Sequence, residues 1–110
     1  MSQIATFFLF VYFFFYNTYM NITTISLQVI EVSTTEYPTF SSRLKFAMAL
    51  RNYSSQKLAN HLYLTHSTIS GYRNGTRMPA VNTLCDMAEV LDVSVDFLLC
   101  RTNYTRISQT

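Results

Sequence analysis

The chain has 110 residues, room for one compact domain and a short appendage. Its net charge of +2 hides an asymmetry: residues 1–42 carry only Glu31 and Glu36, whereas eight basic and four acidic residues stand from Arg43 onward. Two cysteines without a CxxC pattern exclude both a zinc-ligand spacing and a disulfide framework, and fit a reducing compartment.

Residues 4–16 form an almost wholly apolar run, shorter than the roughly 20 residues a spanning helix needs. No charge interrupts residues 1–30, so a longer, diluted membrane segment over about 3–22 remains open. A signal peptide fits less well, because no Lys or Arg precedes the run and no small-residue cleavage site follows it. Three readings stand side by side. Phe, Tyr, Ile and Asn come from AT-rich codons, which suits a start set too far upstream, or a disordered tail. The other two are a membrane-associated helix and a partner-binding or dimerisation arm.

Residues 22–37, rich in Thr, Ile, Val and Ser, read as a linker, although residues 29–32 have the composition of a short strand. Tyr37 before Pro38 marks the boundary, since the residue before proline is pushed out of the helical region. Residues 1–38 are therefore an extension, 39–102 the folded domain and 103–110 a tail.

Beyond Pro38 the apolar spacing becomes helical. Ser41 or Ser42 caps a first helix carrying Leu44, Ala47, Met48 and Leu50, which ends near Asn52. A second helix starts at Ser54 and lines one face with Leu58, Ala59 and Leu62; the small Ala59 suits a close crossing. Tyr63, Leu64 and Thr65 form a turn, and Thr65 caps a third helix over 66–73 with Ile69 and Tyr72 inward. Asn74 and Gly75 end it, glycine being suited to a left-handed C-terminal residue. A fourth helix over 81–91 buries Leu84, Ala88 and Leu91, with Met87 and Cys85 alongside, Cys85 as a small core residue. Ser94 caps a fifth helix in which Phe97 and Leu98 complete the core. The class is all-α, a compact five-helix domain.

Six basic residues, Arg43, Lys45, Arg51, Lys57, Arg73 and Arg77, stand without an intervening acid, and Asp86, Glu89, Asp92 and Asp96 follow in a block. That order suggests one face for polyanions, beside the plainer reading of ordinary solvated charge.

The stretch 58–75, with Leu58, Ala59, Leu62, Thr65, Ser67, Thr68, Ile69, Ser70, Tyr72, Asn74 and Gly75, resembles the helix-turn-helix of the Cro and phage-repressor (XRE-type) family. Arg77, Pro79, Leu84, Ala88, Leu91 and the closing run 93–99 extend the likeness to about 60 residues. The resemblance implies a repressor-like five-helix domain that binds double-stranded DNA and regulates transcription, with the third helix in the major groove. It implies base reading by His66 and Ser67, with Thr68 nearby. Backbone contacts are expected from Ser54, Ser55, Gln56 and Lys57 at the start of the second helix, where amides and helix dipole favour anions, and from Arg43, Tyr72, Arg73, Asn74 and Arg77.

Four positions depart from the family's pattern. Ser55 stands where the family often places a phosphate-clamping Gln, with Gln56 one residue later. Gly71 stands where a base-reading side chain is common; it either narrows specificity or allows a closer approach to DNA. Tyr63 takes the turn position usually held by Gly, which implies either a reshaped turn or a strained one offset by packing of the ring. Met48 and Arg73 replace an Arg–Glu pair of some members, leaving Arg73 free to face a phosphate.

The resemblance implies a homodimer on a palindromic site, acting in the cytoplasm. Two further readings assign residues 1–38 a role, as a toxin-binding arm of an antitoxin-like module or as a membrane tether. No enzyme motif, metal-ligand cluster or cofactor loop is evident, and no cofactor is expected. His61 reads as a surface or partly buried residue.

Overall fold

The computed structural model describes residues 29–106, and the apolar run of residues 4–16 lies outside them together with the readings that rest on it. No helix among the described residues is long and apolar enough to cross a membrane.

Among the described residues five helices follow one another: α1 (Phe40–Leu50), α2 (Ser55–Leu62), α3 (His66–Asn74), α4 (Val81–Val90) and α5 (Val95–Leu98). Their starts follow side-chain chemistry. Thr39 caps α1 through a reciprocal box with Ser42, one position ahead of the expected serines. Ser54, Thr65 and Ser94 accept the Lys57, Thr68 and Phe97 amides at the N-termini of α2, α3 and α5. Only α4 begins without a side-chain cap.

All five ends share one device. A residue with positive φ follows each helix: Asn52 (58°), Tyr63 (57°), Gly75 (80°), Asp92 (54°) and Cys100 (64°). The next amide then reaches back five residues, from Tyr53 to Met48 (2.8 Å), Leu64 to Ala59 (2.9 Å), Thr76 to Gly71 (3.0 Å), Val93 to Ala88 (2.9 Å) and Arg101 to Asp96 (2.9 Å). This closure satisfies carbonyls that a helix end leaves open. The expected turn at Tyr63 is thus kept rather than reshaped. Its ring is 96% exposed, so packing offsets none of the cost.

The core gathers Leu44, Ala47 and Met48 of α1, Leu58 and Ala59 of α2, Ile69 and Tyr72 of α3, Leu84, Met87 and Ala88 of α4, Leu91, and Phe97 and Leu98 of α5. Ala59 is fully buried, as a close crossing of α2 with α3 requires. Cys85 is exposed, contrary to the core position expected of it. The buried positions 84, 87, 88 and 91 follow the i, i+3, i+4, i+7 spacing, and residue 85 stands about 100° from 84 around the helix.

The folded unit reaches past the bounds drawn at 39 and 102. Glu31 and Tyr104 form an isolated antiparallel bridge, flanked by Val32 N–H to Asn103 C=O (2.9 Å) and Thr105 N–H to Ile30 C=O (2.9 Å). The Thr105 hydroxyl oxygen accepts from Ile30 N–H (2.9 Å), and its carbonyl accepts from Ser94 N–H (2.7 Å). Thr105 is fully buried and Val32 joins the core. Part of the expected linker and part of the expected tail therefore clasp each other across the base of α5.

Candidate nucleic-acid interface

In α3 the buried residues are Ile69 and Tyr72, while His66, Ser67 and Asn74 are exposed and Ser70 and Gly71 half-exposed. At 3.6 residues per turn these exposed positions form one outward face along the helix. α3 packs on both α1 and α2, which fixes that face relative to the start of α2.

His66 opens the helix, its Nδ1 3.5 Å from the Ser70 hydroxyl. Ser67 is exposed beside it. Thr68 is half-buried, with its hydroxyl 2.8 Å from that of Thr65. Its polar end is turned back to the helix cap, away from the two residues it was grouped with.

The backbone-contact set divides. Arg43 is fully buried and is not a surface cation. Its Nε donates to Tyr37 C=O (2.9 Å), one terminal nitrogen donates to the carbonyls of Phe97 (3.1 Å) and Thr102, and the other donates to Asn103 Oδ1 (2.7 Å). The guanidinium lies 4.9 Å from the Phe97 ring centroid. It fastens the N-terminal arm, α5 and the tail to α1, with four of its five N–H donors engaged inside the protein, and its burial keeps it from a phosphate.

Tyr72 is buried to 7% exposure, so its ring belongs to the core. Ser55 is buried too, its hydroxyl accepting from Arg73 at 2.7 Å. Arg73 is accordingly not free: it is half-buried, and its Nε is enclosed without a partner. The Ser41 hydroxyl donates to the Arg73 carbonyl, tying the C-terminal end of α3 to α1. Standing where some members carry the acidic residue of that pair, Arg73 spends one donor on the hydroxyl at the start of α2.

Ser54, Gln56, Lys57, Asn74 and Arg77 are exposed as expected. The Ser54 hydroxyl holds the Lys57 amide, so the anion-facing donors remaining at this terminus are the amides of Ser55 and Gln56. The Gln56 amide group donates to Asn60 Oδ1 (2.8 Å), and the Lys57 ammonium sits 4.4 Å from the centroid of Tyr53. One residue was passed over. Exposed Lys45 of α1 lines the same cleft as Ser54, Gln56, His66 and Arg73. Its place in the basic run was visible, but not its register on the α1 face.

Arg51 also leaves the polyanion face: its Nε donates to Leu91 C=O (3.0 Å) and it pairs with Asp92 (3.7 Å). Of the six-cation run, Lys45, Lys57, Arg73 and Arg77 therefore remain around α2 and α3.

The helix-turn-helix family model matches residues 44–98, half of the chain. The chain belongs to the helix-turn-helix family. Two relatives come from Bacillus subtilis (strain 168). The uncharacterized HTH-type transcriptional regulator YqaE is 35% identical over 60 residues, covering 54% of this chain and 52% of the relative. The SPbeta prophage-derived uncharacterized HTH-type transcriptional regulator YonR is 37% identical over 60 residues, covering 54% and 56%. This chain thus spans about half the length of each.

Two solved structures share the helix-turn-helix architecture. One is a SinR protein/SinI protein complex, at TM-score 0.52 and 29% identity over 56% of this chain and 60% of that one. The other is SinR, the master regulator for biofilm formation, in complex with DNA, at TM-score 0.51 and 28% identity over 55% of this chain and 97% of that one. Within this chain, α2 and α3 are the two helices of the helix-turn-helix.

Proposed function

We propose that this chain binds double-stranded DNA sequence-selectively and regulates transcription as a repressor-type protein, with α3 in the major groove. The observation that carries this reading is the division of α3. Ile69 and Tyr72 lock it to the core, while His66 and Ser67 stand exposed at its first turn, where a docked recognition helix meets base edges. The relatives named as transcriptional regulators, and a solved neighbour bound to DNA, support it.

His66 donates to guanine acceptors, and Ser67 donates or accepts. The Ser55 and Gln56 amides, Ser54, Lys45, Lys57, Asn74 and Arg77 hold phosphates and set the register. A homodimer places two recognition helices one turn of DNA apart, about 34 Å, on a palindromic site in the cytoplasm.

The test is a titration of the full chain against its own upstream region and a random duplex, across a salt series. Tight, selective binding that weakens with salt is expected, because neutralised phosphates release counterions. His66→Ala should flatten the preference for the selected site. Equal affinity for both duplexes at every salt concentration would sink sequence-selective recognition, and no binding at low salt would sink the DNA-binding reading altogether.

A further inference from the structure

The outward face of α3 has a gap at Gly71, one turn beyond Ser67 on the same side of the helix. The gap is filled by Arg77. A Cβ added at Gly71 would stand 3.0 Å from Arg77 Cδ, 3.1 Å from its Cγ and 3.3 Å from its Cβ. The aliphatic stem of Arg77 is therefore laid across the bare backbone of residue 71, and its guanidinium begins where a side chain from that position would reach.

The seat is anchored by the backbone. The Gly71 carbonyl accepts from Thr76 N–H (3.0 Å), Arg77 N–H (3.2 Å) and the Thr76 hydroxyl (3.3 Å). Gly75, at φ 80°, makes the reversal that brings these donors back. The glycine is inside a helix with ordinary helical backbone, where it costs about as much as any residue but proline. Its use here is space.

We propose that Arg77 is a specificity-determining residue: seated over Gly71, it delivers from the loop the base-edge contact that position 71 of the recognition helix forgoes. The ligand chemistry is the acceptor pair O6 and N7 of a guanine, which the rigid planar guanidinium fork matches with two parallel hydrogen bonds, whereas a lysine ammonium meets it only as a rotatable, less pre-organised point charge. The Arg77 side chain is exposed and has no ion pair or hydrogen bond among the described residues, so its donors are available. This inference rests on the DNA-binding reading and refines Arg77 from a phosphate contact to a reader.

The experiment selects preferred sites from a random duplex pool with the full chain, then measures affinity for every single-base change in the selected site. Arg77→Lys keeps the charge and removes the fork. Preference at one G·C pair should fall by about 5- to 150-fold, with other positions and the salt slope unchanged. Gly71→Ala should lower preference at that same pair by pushing the stem aside, and Gly71→Ala with Arg77→Lys should be no worse there than Arg77→Lys alone. Melting curves show that each variant is folded; where Gly71→Ala does not fold, Arg77→Lys decides alone. A loss spread evenly over all positions would make Arg77 a phosphate contact and overturn the proposal. So would a Gly71→Ala profile identical to that of the parent. A parent chain that binds DNA with no preferred site overturns the proposal while leaving non-selective binding intact, and a parent that binds no DNA overturns the functional reading as well.

Discussion

Tyr63 sits at φ 57° with its ring in solvent, a placement that only the backbone of the helix-turn-helix demands. A left-handed conformation costs a residue with a Cβ about 1–2 kcal/mol, and an exposed ring returns nothing. Tyr63→Gly should therefore raise stability by about 1 kcal/mol, partly offset by glycine's freedom in the unfolded chain. For a domain of this size that is a rise of about 4–8 °C in Tm, read by thermal melting. Unchanged or lowered Tm would mean that Tyr63 makes a contact in solution that offsets its strain. Arg43 presents the opposite case. Arg43→Ala takes the guanidinium donors from the part-buried carbonyls of Tyr37 and Thr102 and leaves Phe97 C=O with the Cys100 amide alone, and should cost at least about 3 kcal/mol in denaturant unfolding. A loss below about 1 kcal/mol would restore it to the surface. Nothing local in the sequence distinguishes Arg43 from its exposed neighbour Lys45. The difference is made by Phe97, Thr102 and Asn103, more than fifty positions away, and so it was illegible in the chain alone.

At the scale of the elements, most of the fold could be read from the sequence. Helix starts were legible because Ser54, Thr65 and Ser94 announce themselves chemically, and helix faces were legible because Leu58, Ile69, Leu84 and Leu91 recur at helical spacing. The left-handed closure was announced by a glycine only at Gly75; the ends near Asn52 and Tyr63 were placed by the apolar spacing and the helix-turn-helix pattern, and Asp92 and Cys100 adopt the same closure without the residue that usually signals it. The recognition helix offers a test that separates its cap from its electrostatics. Thr65 accepts the Thr68 amide at 3.1 Å and stands one residue before His66. Thr65→Ala should cost about 1 kcal/mol of stability and loosen the turn that carries His66 and Ser67, so DNA affinity should fall with it. Thr65→Asp keeps a good cap, and the positive end of the helix dipole favours its charge. Stability should stay at the parent level or above it while DNA affinity drops, because the proposed docking would bring this carboxylate toward phosphates. Melting curves and a DNA titration on the two variants read both quantities. Parent-like affinity in Thr65→Asp would move this end of α3 away from the phosphates.

At the scale of the whole molecule, the clasp between residues 30–32 and 103–105 joins segments about seventy residues apart, and no periodicity in either marks it. The short apolar run that includes Val32 gives a faint strand signal, but the bridging segment around Tyr104 is polar and too short to read. Its energetic role follows from what it covers. Thr105 supplies the acceptors for the Ile30 and Ser94 amides, Asn103 accepts from both Val32 and Arg43, and Arg106 pairs with Asp92 at 2.6 Å. Ending the chain at Thr102 removes all of these at once: it uncovers Val32, leaves the amides of Ile30, Val32 and Ser94 and one Arg43 terminal nitrogen without their partners, and frees the start of α5. Loss of four neutral hydrogen bonds, one charged one and the burial of one valine amounts to roughly 5–10 kcal/mol, a large part of a small domain's total. The shortened chain should therefore unfold at a much lower denaturant concentration than the full one. Amide exchange should quicken first at Ser94 and Ile30, while His66, Ser67 and Arg77 keep their places until global unfolding. DNA binding measured below the new midpoint should then resemble the parent's, because the clasp lies outside α2, α3 and the 75–77 loop. A midpoint unmoved by the truncation would show that the domain closes at residue 102, as its helical pattern alone suggests.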